Sequence, residues 1–593
     1  MPPSTIKTPF FIFAFFSLLF SVQVVTRIQG DSLTADEPTD ITNGYYYLTR
    51  GDTRTPHNHP PLAGALTSWP LLFMNLKTQP FIISSSDSHL NSERTNLEPR
   101  LVVSARGDVI DRANQFLFGW NLDRLQEISI WTRLTSLILG LGVGFLLFWV
   151  LRKETWCLVG ALALWAFDPL LGALSGLAKT DIAPAFFFFL ATLAFQRSIT
   201  KTTREAPLTA GFLAALTVGC KFYGLALVPL FALLEWFNER ERFKPRAFSE
   251  KIAGAVFRRW ALATLGFGLT LIFLYLPATL CLPDHPLPWN ALMEKFAEDW
   301  TFAANPHAVF FWGQSGIQSH WYYLPCAFLL KEPIPFLALL ALAPLLAFGK
   351  RVVLPAWQWV PPVLFSAVML KTPNLGLRYW LPAFPFFFLI AGRTFSWMIQ
   401  AEHGSNQKAW KLAAFGLLAW QVLSVGLQAP QALSYFNDWV PADKKIYLLG
   451  DSNLDWGQDL KRLAVEAEKR KWGRVHLAYY GAVDPKVYGL NWEPWTQEDL
   501  KGPQSGVVYA VNASFLQIAP LAYPSAKAIA QSWIGSLPPT GRAGDTWYYF
   551  EIPGNQENAP KGLNEERTNK GFLLSAPFLQ TRGYSDPAFA VRP

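Results

Sequence analysis

The sequence predicts an α-helical polytopic membrane protein with about eleven transmembrane helices, followed by a small C-terminal α/β domain outside the membrane. Three observations predict it. The 593 residues are 51% hydrophobic and only 16% charged. The apolar residues gather in runs approaching the roughly 20 residues that cross a hydrocarbon core of about 30 Å. Beyond residue 440 those runs stop, and short alternating apolar segments take over.

The candidate spans are 10–25, 134–151, 156–167, 182–195, 208–218, 222–237, 260–282, 324–348, 353–369, 380–398 and 410–427. The third and fifth are short for a perpendicular helix, a deficit that tilt or flanking residues make up. Lysine and arginine gather on alternate connections: Arg152 and Lys153; Arg197, Lys201 and Arg204; the run from Arg240 to Arg259; Lys350 and Arg351; Lys408 and Lys411. The positive-inside rule makes these connections cytoplasmic. The amino terminus is then cytoplasmic and, with an odd number of spans, the C-terminal domain is extracytoplasmic. The same bias accounts for the formal net charge of +8, so no nucleic-acid partner is called for. Lys7 precedes the first apolar run but no small-x-small cleavage site follows it, so the run reads as a retained helix and not as a cleaved signal peptide.

The chain divides into a membrane part, 1–440, an extracytoplasmic domain, 441–553, and a loosely structured tail, 554–593. Two large extracytoplasmic segments interrupt the membrane part. The first, 28–131, carries an acidic pair and apolar interfacial helices around Trp69; the second, 283–323, is rich in polar and aromatic groups at the mouth of the bundle. In the C-terminal domain, period-two patterning predicts strands over 446–450, 475–480, 507–512 and 546–552, and amphipathic spacing predicts a helix over 458–471. Cys157, Cys220, Cys281 and Cys326 lack metal-ligand spacing and read as packing residues, with a Cys281–Cys326 disulfide as the one pairing their common face allows.

Four outward clusters carry chemistry. In Asp36-Glu37-Pro38 a carboxylate beside a low-dielectric boundary suits a general base, whereas an acid before proline also starts a helix. In His57-Asn58-His59-Pro60-Pro61 the imidazoles suit phosphate contact better than metal ligation, because no Cys or compact acidic set completes a metal site; a polar turn is the plainer alternative. Lys179-Thr180-Asp181 heads the fourth span, where Asp181 is either a second acid of the site or a cap. Between the ninth and tenth spans Lys371 and Arg378 break the positive-inside trend and ask for an anionic ligand, as Lys331 does more weakly, with headgroup snorkelling as the alternative. His320, Tyr322 and Tyr323 line the cavity mouth, or form an aromatic belt. Together these groups suit transfer of a sugar from a lipid phosphate.

In order along the chain, Asp36-Glu37, His59-Pro60-Pro61-Leu62, Arg133, Thr180-Asp181, Trp321-Tyr322-Tyr323, Lys331-Glu332-Pro333 and Arg378-Tyr379-Trp380-Leu381-Pro382 resemble the motifs of GT-C glycosyltransferases of the protein O-mannosyltransferase and aminoarabinose transferase type, over residues 10–440. The resemblance implies a GT-C fold in a bacterial inner or plasma membrane and inverting transfer from a polyprenyl or dolichyl monophosphate sugar. The acceptor would be a protein, lipid or polysaccharide outside the cytoplasm. It implies Asp36 as catalytic base, with Glu37 beside it and Asp181 as second acid. His59 falls where some members carry a phosphate-contacting lysine, and that departure shares donor phosphate binding among His57, His59, Lys331 and Arg378. No cofactor or metal is expected. The segment from Leu449 to Leu460, with Asp451, Asp455 and Asp459, is similar to a motif of bacterial members; capping of backbone amides is its plainer reading, and sugar or acceptor binding the alternative. A transporter or lipid flippase with an outward ionisable site is the rival from another class. The large outer segments and the absence of an inverted repeat favour the enzyme.

Overall fold

The structure, a computed structural model, describes residues 7–53, 59–78, 102–103, 112–201, 203–242, 250–283, 285–305, 307–317, 319–402, 406–522 and 524–554. His57 and the tail from 555 onward lie outside the described residues. The helices that matter to the site are α1 (Lys7–Gly30), α2 (Glu37–Arg50), α3 (Leu62–Ser68), α4 (Leu125–Leu151), α5 (Thr155–Ala166), α6 (Ile182–Thr200), α7 (Glu205–Cys220), α8 (Leu227–Arg242), α9 (Glu250–Cys281), α10 (Pro288–Ala304), α11 (Tyr323–Lys331), α12 (Ile334–Phe348), α13 (Ala356–Met369), α14 (Phe384–Gln400), α15 (Gln407–Leu427) and α16 (Leu460–Lys469).

Each of the eleven apolar runs is helical, but six described helices are long and apolar enough to cross a membrane: those over Lys7–Gly30, Leu122–Leu151, Ile182–Thr200, Ala253–Cys281, Leu377–Gln400 and Gln407–Leu427. The protein is therefore an integral membrane protein with fewer full-length spans than the sequence suggests. Proline explains part of the difference. The run 324–348 is broken where Glu332, held extended by Pro333, separates α11 from α12. Pro361 and Pro362 lie inside α13, and Pro382 lies in the 3-10 turn Leu377–Ala383 that precedes α14.

Burial sorts the spans. The window over Leu377–Gln400 is 78% buried and that over Ile182–Thr200 72%, so these two are central, whereas α1 and α15, at 17% and 22%, present most of their length to lipid. Aromatic packing joins the layers: Phe20 of α1 stacks on Trp165 of α5 at 4.5 Å, and Phe195 of α6 lies parallel to Phe231 of α8 at 4.0 Å. All four cysteines are free; Cys157 and Cys220 are buried as packing residues, Cys281 is exposed, and the alternative Cys281–Cys326 disulfide is not formed.

The C-terminal domain is a six-stranded mixed sheet. Strands β4 (Val475–Tyr480) and β6 (Val508–Asn512) pair in parallel, β8 (Trp547–Glu551) joins β6 antiparallel, and β7 (Gly541–Ala543) closes that edge. On the other side of β4 lie β5 (Trp492–Pro494) and, from the segment between α1 and α4, β1 (Val102–Val103), both parallel to it. The expected strand over 446–450 is instead a 3-10 turn, Lys445–Tyr447, with one bridge from Leu449 to Phe311 of the hairpin β2 (Val309–Phe311) and β3 (Gln314–Gly316). The carbonyls of Ile446 and Leu449 accept from the Gln517 side chain and that of Leu448 from Trp312 N, which leaves no ladder for a strand there.

One apolar cluster spans the junction. Leu33, ahead of α2, and Ile41, Tyr45 and Tyr46 along it share a core with Leu460 and Leu463 of α16 and with Leu477 and Trp547 of the sheet. The end of the bundle that carries α2 is thus capped by the sheet, and the site lies between them. Trp165 is fully buried and stacked, so Trp165→Ala is expected to cost about 3–5 kcal/mol. Thermal unfolding in detergent reads this as a clear fall in Tm, and an unshifted transition would contradict the packing.

Candidate functional site

The adjacent acids Asp36 and Glu37 have opposite environments. Glu37 is fully buried and accepts from Arg133 Nε at 2.8 Å, Arg133 Nη2 at 2.7 Å, and the backbone amides of Thr34 and Ala178, each at 2.7 Å. These four bonds fill the acceptor capacity of a carboxylate. Arg133, also fully buried, places its other donors on the carbonyls of Ser32 at 2.7 Å, Asp31 at 3.0 Å and Ile28 at 3.3 Å. The exit of α1, the start of α2, α4 and the segment before Asp181 are therefore held at one point.

Asp36 occupies the N-cap position of α2, but its backbone is helical and its side chain makes no capping bond. The carboxylate, 32% exposed, instead accepts from Lys179 Nζ at 3.3 Å. Lys179 also pairs with Asp40, one turn further along α2 and on the same face as Asp36. Asp181 likewise stands at the N-cap position of α6 without a side-chain cap. It pairs with Lys221, from the break after α7, and with Arg378 Nη1 at 3.6 Å. Burial pushes the Asp181 pKa up, but Lys221, Arg378 and Lys179 outweigh it and hold the carboxyl below the ordinary aspartate range. The helix-cap explanation fails for both aspartates; their charge is directed at cations.

Beside this alternation of acids and cations is a cleft of about 400 Å³, lined by Asp40, Asn43, Asp52, His59, Thr180 and Lys295, among others. Gly44 of α2 and Gly64 of α3 form its back wall. A Cβ on Gly44 would stand 2.0 Å from the Gly64 carbonyl oxygen, so the helix crossing requires glycine there. Helix α10 borders the opening: Lys295 lies in the lining and Asp299 is 3.6 Å from His59 Nδ1. Its Trp289, Met293 and Trp300 are exposed, as suits a helix lying at an interface.

The remaining candidates are distributed differently. Arg378 is in the cluster and His59 in the cleft. Tyr323 is buried and its hydroxyl accepts from Asn453 Nδ2 at 2.7 Å, beside the Arg378 loop. His320 and Tyr322 stack on each other at 5.2 Å near Phe311, closer to the surface. Lys331 is not brought to the cluster: it donates to the carbonyls of Leu433 and Asn453 and is 2% exposed. Among the described residues no group of three or more His, Cys, Asp or Glu side chains is arranged to hold a metal ion.

Sequence reasoning missed Asp40, Lys221, Lys295 and Trp456, and it singled out Lys179 without giving it a role. Two of these had a signal: Asp40 follows Asp36 at helical spacing, and Lys221 is a lone cation between apolar helices. The indole of Trp456 lies 4.4 Å from the Arg378 guanidinium and 5.0 Å from Lys179 Nζ, a contact that nothing in the local sequence announces.

No family model matches the chain, and no curated protein matches it. Two solved structures of ArnT from Cupriavidus metallidurans resemble it. One, bound to undecaprenyl phosphate, is 13% identical over 90% of this chain and 97% of that one, with a TM-score of 0.39. The other, in the apo state, is 11% identical over 90% and 96%, with a TM-score of 0.41. At that level of likeness the chemistry of the site carries the functional reading.

The two acids of the adjacent pair respond differently to substitution. Arg133→Leu strands a buried carboxylate and is expected to cost about 3–5 kcal/mol. Asp36→Asn removes a partly exposed pair and is expected to stay within about 1 kcal/mol. Thermal unfolding of both variants checks the contrast, and equal losses would contradict the assignment of Glu37 as the anchor.

Proposed function

We propose that the protein is a membrane glycosyltransferase that moves a sugar from a polyprenyl or dolichyl monophosphate donor to a hydroxyl or amine on the extracytoplasmic side, with inversion at the sugar carbon. The observation that carries this reading is the setting of Asp36. Its carboxylate is released from capping, partly exposed, and one ion pair away from a buried group of cations beside an apolar bundle.

The chemistry follows from that arrangement. An acceptor hydroxyl gives its proton to Asp36 while its oxygen bonds to the anomeric carbon, and the carbon–oxygen bond to the phosphate breaks with its electron pair on the phosphate. A carboxylate in hydrogen-bond reach of the acceptor contributes the proton transfer. Fixed cations stabilise the charge that develops on the leaving phosphate. Arg378 within the cluster and His59 in the cleft are the phosphate contacts of this proposal, and His57, beside His59 in sequence, belongs with them. Asp181 holds Lys221 and Arg378 in place as the second acid. The exposed apolar faces of the long helices leave room for the lipid tail. No metal or cofactor enters the scheme, and the membrane, the lipid-linked donor and a protein, lipid or polysaccharide acceptor are its partners.

The arginine and lysine distribution places the cluster and the C-terminal domain outside the cytoplasm in this proposal. Asp36→Asn keeps the shape of the side chain and removes the base. It is expected to lower transfer from a polyprenyl-phosphate sugar by about 10²–10⁴-fold while donor binding persists. Undiminished turnover in that variant would overturn the assignment. Substrate flux in proteoliposomes that contain no acceptor would favour the transporter reading.

A further inference from the structure

The segment from Gly450 to Gln458, capping or substrate-binding by its sequence alone, does both structural and electrostatic work. Asp455 and Asp459 behave as caps. Asp455 accepts from Ser514 N at 2.9 Å and Asn512 Nδ2 at 2.8 Å, and Asp459 accepts from the amides of Asp545 at 2.9 Å and Thr546 at 3.1 Å. The stretch between Asp451 and Trp456 instead grips both halves of the cluster. The Trp456 carbonyl accepts from Ala35 N at 2.8 Å, the residue before Asp36. Asn453 Oδ1 accepts from Leu377 N at 3.0 Å, the residue before Arg378, and Ser452 Oγ donates to Leu375 O at 2.8 Å. Gly376 permits this approach: its φ is +125°, and a Cβ there would stand 2.1 Å from Ser452 Oγ. Asp451, in the left-handed region at φ 54°, begins the grip.

Between these two anchors the Trp456 ring, 6% exposed, is placed against both cations. Lys179 and Arg378 belong to different ion pairs, with Asp36 and Asp40 on one side and Asp181 on the other. Two neighbouring cations repel each other; Asp36, Asp181 and Asp451 of the same segment offset part of that repulsion, and a π face in contact with both cations offsets more of it without adding a further charge.

We propose that Trp456 of the C-terminal domain is a positioning residue for the lipid-phosphate headgroup, holding Lys179 and Arg378 at the spacing at which both act on one phosphate. This rests on the reading of the site as a donor-phosphate site. It makes the C-terminal domain a working component of that site, and it gives Trp456 a role in binding that its capping neighbours do not have.

The test uses the full chain in detergent with polyprenyl monophosphate as probe, and the neutral polyprenol of the same length as control. Trp456→Leu keeps an apolar filler without a π face and is expected to weaken binding of the monophosphate about tenfold, equivalent to about 1.4 kcal/mol, with polyprenol binding unchanged; the smaller buried side chain lowers Tm in this variant and in Trp456→Phe alike. Trp456→Phe is expected to recover most of the lost binding. In transfer assays the Leu variant is expected to raise the donor KM more than it lowers kcat. Monophosphate binding unchanged in Trp456→Leu, or an equal loss for polyprenol, would overturn the proposal. So would a loss that follows Tm alike in the Leu and Phe variants. Because binding is read without turnover, a chain that binds the monophosphate in this way but transfers no sugar would overturn the proposed reaction and leave the role of Trp456 standing. A wild-type chain that does not bind the monophosphate would overturn both.

Discussion

Everything at this end of the molecule hangs on one buried contact, the Arg133–Glu37 pair. Taking a guanidinium and a carboxylate out of water costs several kcal/mol per ion, and the cost is offset only where geometry is good and every remaining donor and acceptor is satisfied. Here that condition is met, since Arg133 bonds to Glu37 and to three carbonyls and Glu37 accepts two backbone amides as well. The contact leaves little freedom in residues 28–37 and aligns them with α4 and with the segment ending at Asp181. Asp36 is then delivered beside Lys179 with its carboxylate partly exposed.

That delivery sets up the electrostatics of the cleft. Acids from α2 and from the head of α6 meet cations that come from the loop before α6, the break after α7 and the loop before α14. No single element carries the balance, so the cluster exists only when the bundle is assembled. The C-terminal domain then meets it through the segment 452–456, which bonds to Ala35, Leu375 and Leu377 and sets the Trp456 ring against two cations from different loops. A low-dielectric floor beneath and a folded domain above strengthen each of these interactions relative to water.

Particular residues show what was legible. The strands over 475–480 and 507–512 were readable because short apolar runs rich in β-branched and aromatic residues, here buried on both faces, write themselves into sequence. The segment 446–450 carries a similar apolar content and is a 3-10 turn, its carbonyls at Ile446 and Leu449 taken by the Gln517 side chain and that at Leu448 by Trp312 N. Lys331 looked like an anion contact by its charge and position, yet its ammonium is spent on two carbonyls that lie about 100 residues or more away in sequence. Asp36 and Asp181 looked equally like caps and like reactive acids, and local sequence holds no information that separates the two.

The sequence by itself determined the membrane character, the presence of a small C-terminal domain after the helix bundle, and several of the charged residues that the structure brings together, because hydropathy, periodicity and stray charge are local properties that need no partner to be read. Tertiary structure alone decided which of two adjacent acids is a buried anchor and which is a partly exposed partner of Lys179. It also decided which lysine joins the cluster and which is consumed in packing, and that a tryptophan from the C-terminal domain bridges two cations. Those outcomes depend on pairings across long stretches of chain, where the free energy of a charge is set by its neighbours in space and not by its neighbours in sequence.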